Sequence, residues 1–151
     1  MRTVDTITDE DVAELVRRAE EATVAYAQGD MKRYVALVNH ADRYTLADPL
    51  GGPAAQYEHR TRELEDASSV FTSGEAQLEV LHVHASDETI VLVAVERQHG
   101  EVAGRPDQDW SLRVTLVFRR AGADWELIHR HADPLVHPID LDRLAALARG
   151  E

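Results

Sequence analysis

The order of its periodic segments is the feature that most limits what this chain can fold into. Up to residue 67 the apolar positions recur at helical spacing. From residue 75 to residue 132 four β-rich runs follow one another: "EAQLEVLHVHA", "ETIVLVAVERQ", "WSLRVTLVFRR" and "DWELIHRHA". Only "SDE", "GEVAGRPDQD" and "AGAD" separate them, and links this short leave no room for a crossover helix, so the runs must pair as an antiparallel meander. Helices first and strands afterwards specify an α+β domain, with the helices gathered on one face of a curved sheet of four to six strands.

In the first half, "TDEDVAELVRRAEEATVAYAQGD" reads as an amphipathic helix. Thr8 caps it, Asp11 three residues on completes a variant capping box, and Gly29 stops it. Asp30 caps a second, shorter helix with apolar positions at Met31, Tyr34, Val35, Leu37 and Val38. "DRYTLADPLGGP" is a short strand running into a Pro/Gly turn, and "AAQYEHRTRELEDA" predicts a third helix with Glu58 and Arg62 spaced as an i,i+4 pair. "IDLDRLAALARG" closes the sequence as a short helix over 140–149 capped by Asp140. Residues 1–151 are expected to form one domain, its core over 8–134.

Charge narrows the partners. Sixteen Lys and Arg against 28 Asp and Glu leave a net charge of −12, which repels phosphate backbones and anionic membranes. Nucleic acid and membrane partners are not expected. No apolar run approaches the ~20 residues of a membrane helix, and the acidic start "MRTVDTITDEDV" lacks the apolar centre of a signal peptide. With no cysteine there is no disulfide and no thiolate nucleophile, so a cytoplasmic protein is expected.

The stretch "WELIHRHADPL" places His129 and His131 on either side of Arg130. If "AGAD" closes a tight hairpin, Arg120 opposes Trp125, Phe118 opposes Leu127, Leu116 opposes His129 and Val114 opposes His131. Opposed residues share a face. The two histidines then join the apolar side under the helices, while Arg113 and Arg130 point away. A slip of one residue would exchange the faces and pass the histidines' role to the arginines.

The same residues carry a family resemblance. Helix–helix–strand–helix and then four strands, ending "LRVTLVFRR…WELIHRHADP", resembles the SnoaL-like and DUF4440 branch of the NTF2-like superfamily. This is a cystatin-like, cone-shaped fold whose members are described as ketosteroid-isomerase-like or polyketide-cyclase-like. The resemblance implies helices wrapped on a curved, mostly antiparallel sheet, an apolar pocket and a homodimer. "TLADPLGG" resembles the D-P-V-G segment of ketosteroid isomerases, which implies a general-base role for Asp48. That family's two oxyanion donors fall at Ala22 and Leu116, neither of which can donate a hydrogen bond from its side chain. A different donor is needed.

These readings give Asp48, His131 and His129 as catalytic candidates, with Tyr57, Trp110, Phe118, Tyr34 and Arg113 as ligand-binding candidates. Asp48 would take a proton beside a carbonyl; the competing reading is a turn in which its carboxylate accepts backbone N–H groups. His131, nearer the strand end, would stabilise the enolate, and His129 is as readily a satisfied core histidine. His82, His84, His129, His131 and Asp133 look like metal ligands when read as a list. In the family's sheet order, however, two strands spaced ~4.8 Å apart separate the histidine pairs, too far for ligands at ~2.1 Å, and no metal is expected. Arg113 has a dimer-interface or ion-pair reading beside the ligand one. Epoxide hydrolysis, another activity of the fold, needs an Asp-Arg-Asp arrangement in the pocket, which Arg113 on the opposite face does not provide. The expected function is a small enzyme without cofactors, moving a proton as isomerase, cyclase or lyase on a small apolar or aromatic carbonyl compound. The alternative is a non-catalytic ligand-binding or dimerisation domain.

Overall fold

The computed structural model describes residues 6–151; Met1–Asp5, the first residues of the acidic segment, lie outside the described residues. Helix α1 (Asp9–Ala27) starts as its sequence dictates. Thr8 Oγ1 accepts the Asp11 N–H at 3.1 Å, and Asp11 Oδ2 accepts the Thr8 N–H at 2.9 Å, which satisfies two backbone donors reciprocally. Gly29, at φ 78°, turns the chain, and Asp30 caps α2 (Met31–Leu37) through the Arg33 N–H at 3.1 Å.

The strands are β1 (Asn39–Ala47), β2 (Ala55–Tyr57), β3 (Phe71–Ala85), β4 (Thr89–Val102), β5 (Arg105–Asp109), β6 (Leu112–Ala121) and β7 (Asp124–Asp133). Helix α3 (Arg60–Glu65) falls between β2 and β3, and α4 (Leu141–Ala148) follows the last strand. The sheet order is β2-β1-β7-β6-β4-β3, with β5 also paired to β4. Every pairing is antiparallel except β1 with β7. The fold is therefore the expected α+β arrangement, with N-terminal helices on a curved, mostly antiparallel sheet.

Two local readings need correction. Residues 54–67 do not form one helix: Ala55–Tyr57 pair with Leu46–Tyr44 as an edge strand, and helix begins only at Arg60. Tyr57 is thus a strand residue. The "GEVAGRPDQD" break is a hairpin of its own, in which Ala103 (φ 48°) and Gly104 (φ 79°) make the two-residue turn that lets Val102 pair with Arg105.

Helix α1 packs on β3 and β4. Its Leu15, Ala19 and Ala22 meet Ile90 and Leu92 of β4, Leu116 and Phe118 of β6, and Leu127 of β7 in one core. Small residues on that helix leave space between helix and sheet, and this space becomes the cavity described below. Glycine allows the closest strand approach: a Cβ at Gly100 would stand 2.2 Å from the Ser73 carbonyl oxygen. Among the described residues no helix is long and apolar enough to cross a membrane.

Candidate functional site

A β-bulge decides which side chains of β7 reach the interior. Near the hairpin the pairing is the expected one, with Arg120 opposite Trp125 and Phe118 opposite Leu127. The next pair is Val117 with His129, so Ile128 is an extra residue on β7. Beyond it Leu116 faces Arg130, Thr115 faces His131 and Val114 faces Ala132. One inserted residue exchanges the two faces of the strand. Arg130 therefore lies on the helix-covered side, while His129 and His131 lie on the outer side. The expected placement of both histidines against the helices is wrong for this reason.

Strand β1 has its own irregularity at the same level, between His40 and Thr45, and Arg43 there adopts φ 63°. The Thr45 hydroxyl donates to the Ile128 carbonyl at 3.3 Å and lies 2.7 Å from His129 Nδ1. His129 is thus tied to Thr45 on the outer side of the sheet. His131 is exposed. Arg113, also exposed, donates Nε and Nη2 to the two Asp133 oxygens at 2.9 and 3.0 Å on the outer face. Among the described residues none of these three lines the cavity.

The cavity occupies about 660 Å³ between the helices, β1, and the inner face of β4, β6 and β7. Tyr34, Tyr57, Trp110, Phe118 and Asp48 all line it, so the structure brings together five of the eight expected side chains. Trp110 is held in the wall by three hydrogen bonds, one from its backbone N–H to the Gln98 carbonyl at 2.9 Å. Its Nε1–H donates to the Gly100 carbonyl at 3.0 Å, and its own carbonyl accepts from Gln98 Nε2 at 3.0 Å. Asp48 sits at the mouth and is exposed. Its Oδ1 accepts the Leu50 N–H at 2.9 Å, the turn arrangement that D-P-L-G also predicts.

Deeper in, the cavity holds Arg130, which the sequence offers only under a slipped register, and groups that sequence reasoning missed. Arg130 Nη1 and Nη2 donate to Glu96 Oε1 and Oε2 at 2.6 and 2.8 Å. Glu96 is only 6% exposed. Burial opposes the charge of Arg130, but Glu96 outweighs it and holds the guanidinium pKa above its ordinary value. A guanidinium has five N–H donors, and Glu96 occupies one on each terminal nitrogen, so donors remain for a ligand.

His40 stands beside this pair. Its ring meets Tyr44 edge-on at 4.8 Å and Tyr34 at 5.8 Å. Burial, reinforced by the positive charges of Arg60 and Arg130, pushes its pKa down to about 4, so the imidazole is neutral at physiological pH. Its Nδ1 is buried without a hydrogen-bond partner. Burial likewise pushes the Tyr34 phenol up to about 12 and raises Tyr44, so both hydroxyls stay protonated donors. Arg60, from the start of α3, lays its guanidinium 4.2 Å over the Tyr57 ring.

One of the overlooked groups carries a sequence signal. Ile90, Leu92, Ala94 and Glu96 share strand parity, so "IVLVAVE" places a carboxylate on the buried face of an otherwise apolar strand, and that carboxylate needs a cation. The match to Arg130 is invisible without the bulge.

Residues 17–136 match the family model for the SnoaL-like domain. Among solved structures the chain is similar to a candidate dehydratase of the NTF2-like family from Streptomyces avermitilis. Identity is 20%, coverage 87% of this chain and 100% of that one, and the TM-score 0.66. It is similar to the CaMKII hub of S. rosetta at 20% identity, covering 80% of this chain and 94% of that one, with a TM-score of 0.63. An NTF2-like superfamily protein from Salmonella enterica is similar at 11% identity over 87% and 92% of the two chains, with a TM-score of 0.63. At such identities these likenesses show the fold alone. No curated protein matches the chain.

Proposed function

The chain belongs to the SnoaL-like domain family, and from that premise we propose that it is a small enzyme acting without a cofactor on an apolar carbonyl compound held in its cavity. The reaction is proton transfer, in an isomerase, cyclase or lyase. The observation that carries this reading is a 660 Å³ apolar-walled cavity with Asp48 at its mouth and charged and phenolic donors deeper in. Asp48 takes a proton from the carbon next to the carbonyl. The electron pair moves onto the carbonyl oxygen, and the enolate accepts hydrogen bonds from the free N–H groups of Arg130 and from Tyr34 or Tyr44. Arg130 takes the stabilising role first expected of His131 and His129. Exclusion of water strengthens these bonds.

The experiment is native mass spectrometry of the purified protein to identify the retained compound, followed by NMR of deuterium uptake from D₂O at its α-carbon. The wild type is expected to speed exchange, and Asp48→Asn to slow it by about 100-fold while still binding. The asparagine amide retains an oxygen for the Leu50 N–H, so the turn survives the change.

One observation favours a second reading, a non-catalytic ligand-binding or dimerisation domain. Asp48 is exposed and already engaged by the Leu50 N–H. A bound compound with no exchange above the uncatalysed rate would establish that reading. In either case we infer a homodimer joined through the outer sheet face, where Val91, Val93 and Val117 stand half-buried with no described element of the chain across them. Likeness to a hub domain supports self-association.

A further inference from the structure

The four charges that line the cavity cancel in number but not in depth. Two guanidinium groups line it, those of Arg130 and Arg60, and the carboxylates of Glu96 and Asp48 do as well. Glu96 is consumed by its bidentate pair with Arg130. Asp48 is exposed at the mouth, tied to a backbone N–H and in water, where its field is weak inside the cavity.

That leaves Arg60. Its ion-pair partner among the described residues, Glu63, stands 3.8 Å away, beyond hydrogen-bond distance, and is 53% exposed, whereas the Arg60 side chain is only 23% exposed. Stacking on Tyr57 uses the face of the guanidinium and leaves its N–H edge free, the edge that matches a carboxylate. The positive field extends into the pocket, since Arg60 and Arg130 both act on His40 and on Tyr44. A chain with a net charge of −12 thus encloses a cavity in which two guanidinium groups meet only one buried carboxylate.

Resting on the reading that this cavity is the ligand site, we propose that its ligand is an organic monoanion: an apolar body with one carboxylate bound at the edge of Arg60. The apolar part lies against Ala19, Ala22, Leu116 and Phe118. This goes beyond a neutral apolar compound, which would leave the second guanidinium with only the more distant, solvent-exposed Glu63 as counter-charge.

Isothermal titration with two probes of closely similar shape tests the proposal: 2-naphthoate and its neutral methyl ester, at low ionic strength. The carboxylate is expected to bind at least tenfold more tightly than the ester. Arg60→Gln is expected to abolish that preference by weakening binding of the carboxylate far more than that of the ester, while Arg60→Lys keeps most of it. Circular dichroism establishes that each variant is folded. Equal or tighter binding of the ester overturns the monoanion proposal and leaves the cavity reading standing. A preference that survives in Arg60→Gln overturns the assignment to Arg60. Binding of neither probe overturns both the proposal and the reading beneath it.

Discussion

Among the ion pairs of the described residues, Glu96 and Arg130 are the most buried. Each charge is tolerated away from water only because the other meets it at hydrogen-bond distance. Glu96→Gln is expected to lower stability by about 3–5 kcal/mol, because it leaves a buried guanidinium uncompensated. Glu96→Leu with Arg130→Met, which removes both charges, is expected to recover most of that loss while abolishing ligand binding. Urea denaturation checks both; a wild-type midpoint for Glu96→Gln would mean that the pair is solvated. In the proposed reaction Arg130 combines two roles, because the side chain that neutralises Glu96 has spare donors for the enolate. Half of this pair was readable from sequence and half was not. Glu96 continues an apolar alternation, whereas Arg130 is recognisable as inward only once Ile128 is known to be unpaired.

At the scale of elements, the parts set by local chemistry were legible. The Thr8–Asp11 capping box, the Asp30 cap and the four-strand meander all follow from residue type and spacing. Two strands escaped because their pairing partners make them: β2 exists through its pairing with β1, and β5 through its pairing with β4. The bulge in β7 escaped for a related reason. The bulged residue is met by the Thr45 hydroxyl on its carbonyl, a contact from another strand that no window along β7 contains. Strand β5 also carries a pH-dependent tie. His99 Nδ1 lies 3.0 Å from Asp107 on β5, and its Nε2 lies 3.2 Å from Glu75 on β3. Those two carboxylates, Asp107 first, raise the His99 pKa. A raised pKa in the folded state means a contribution fully present below the unfolded value of 6.5 and lost as pH rises through the higher folded value. Amide exchange in β5 is therefore expected to show a smaller protection factor at about pH 8.5 than at about pH 6. His99→Gln is expected to remove that difference, and an unchanged pH profile in the variant would exclude the tie.

At the scale of the whole molecule, one face of the sheet is closed by helices and the other is open. Val93→Glu places a charge in the middle of the open face without touching the cavity. It is expected to convert a homodimer into a monomer, read by size-exclusion chromatography with light scattering. A wild type that stays monomeric at high concentration would refute the homodimer. The sheet order has a further consequence, for the time course of folding. Strand β7 is the last in sequence, yet it lies between β1 and β6, and Thr45 meets His129 across 84 positions of chain. Hairpins β3–β4, β4–β5 and β6–β7 close early because their partners are adjacent, whereas β1 must wait with only short β2 beside it. Until β1 meets β7, each presents a bare edge. The rate-limiting step of folding is thus expected to be the docking of β1 on β7, and an intermediate stalled before it is the species most open to edge-to-edge aggregation.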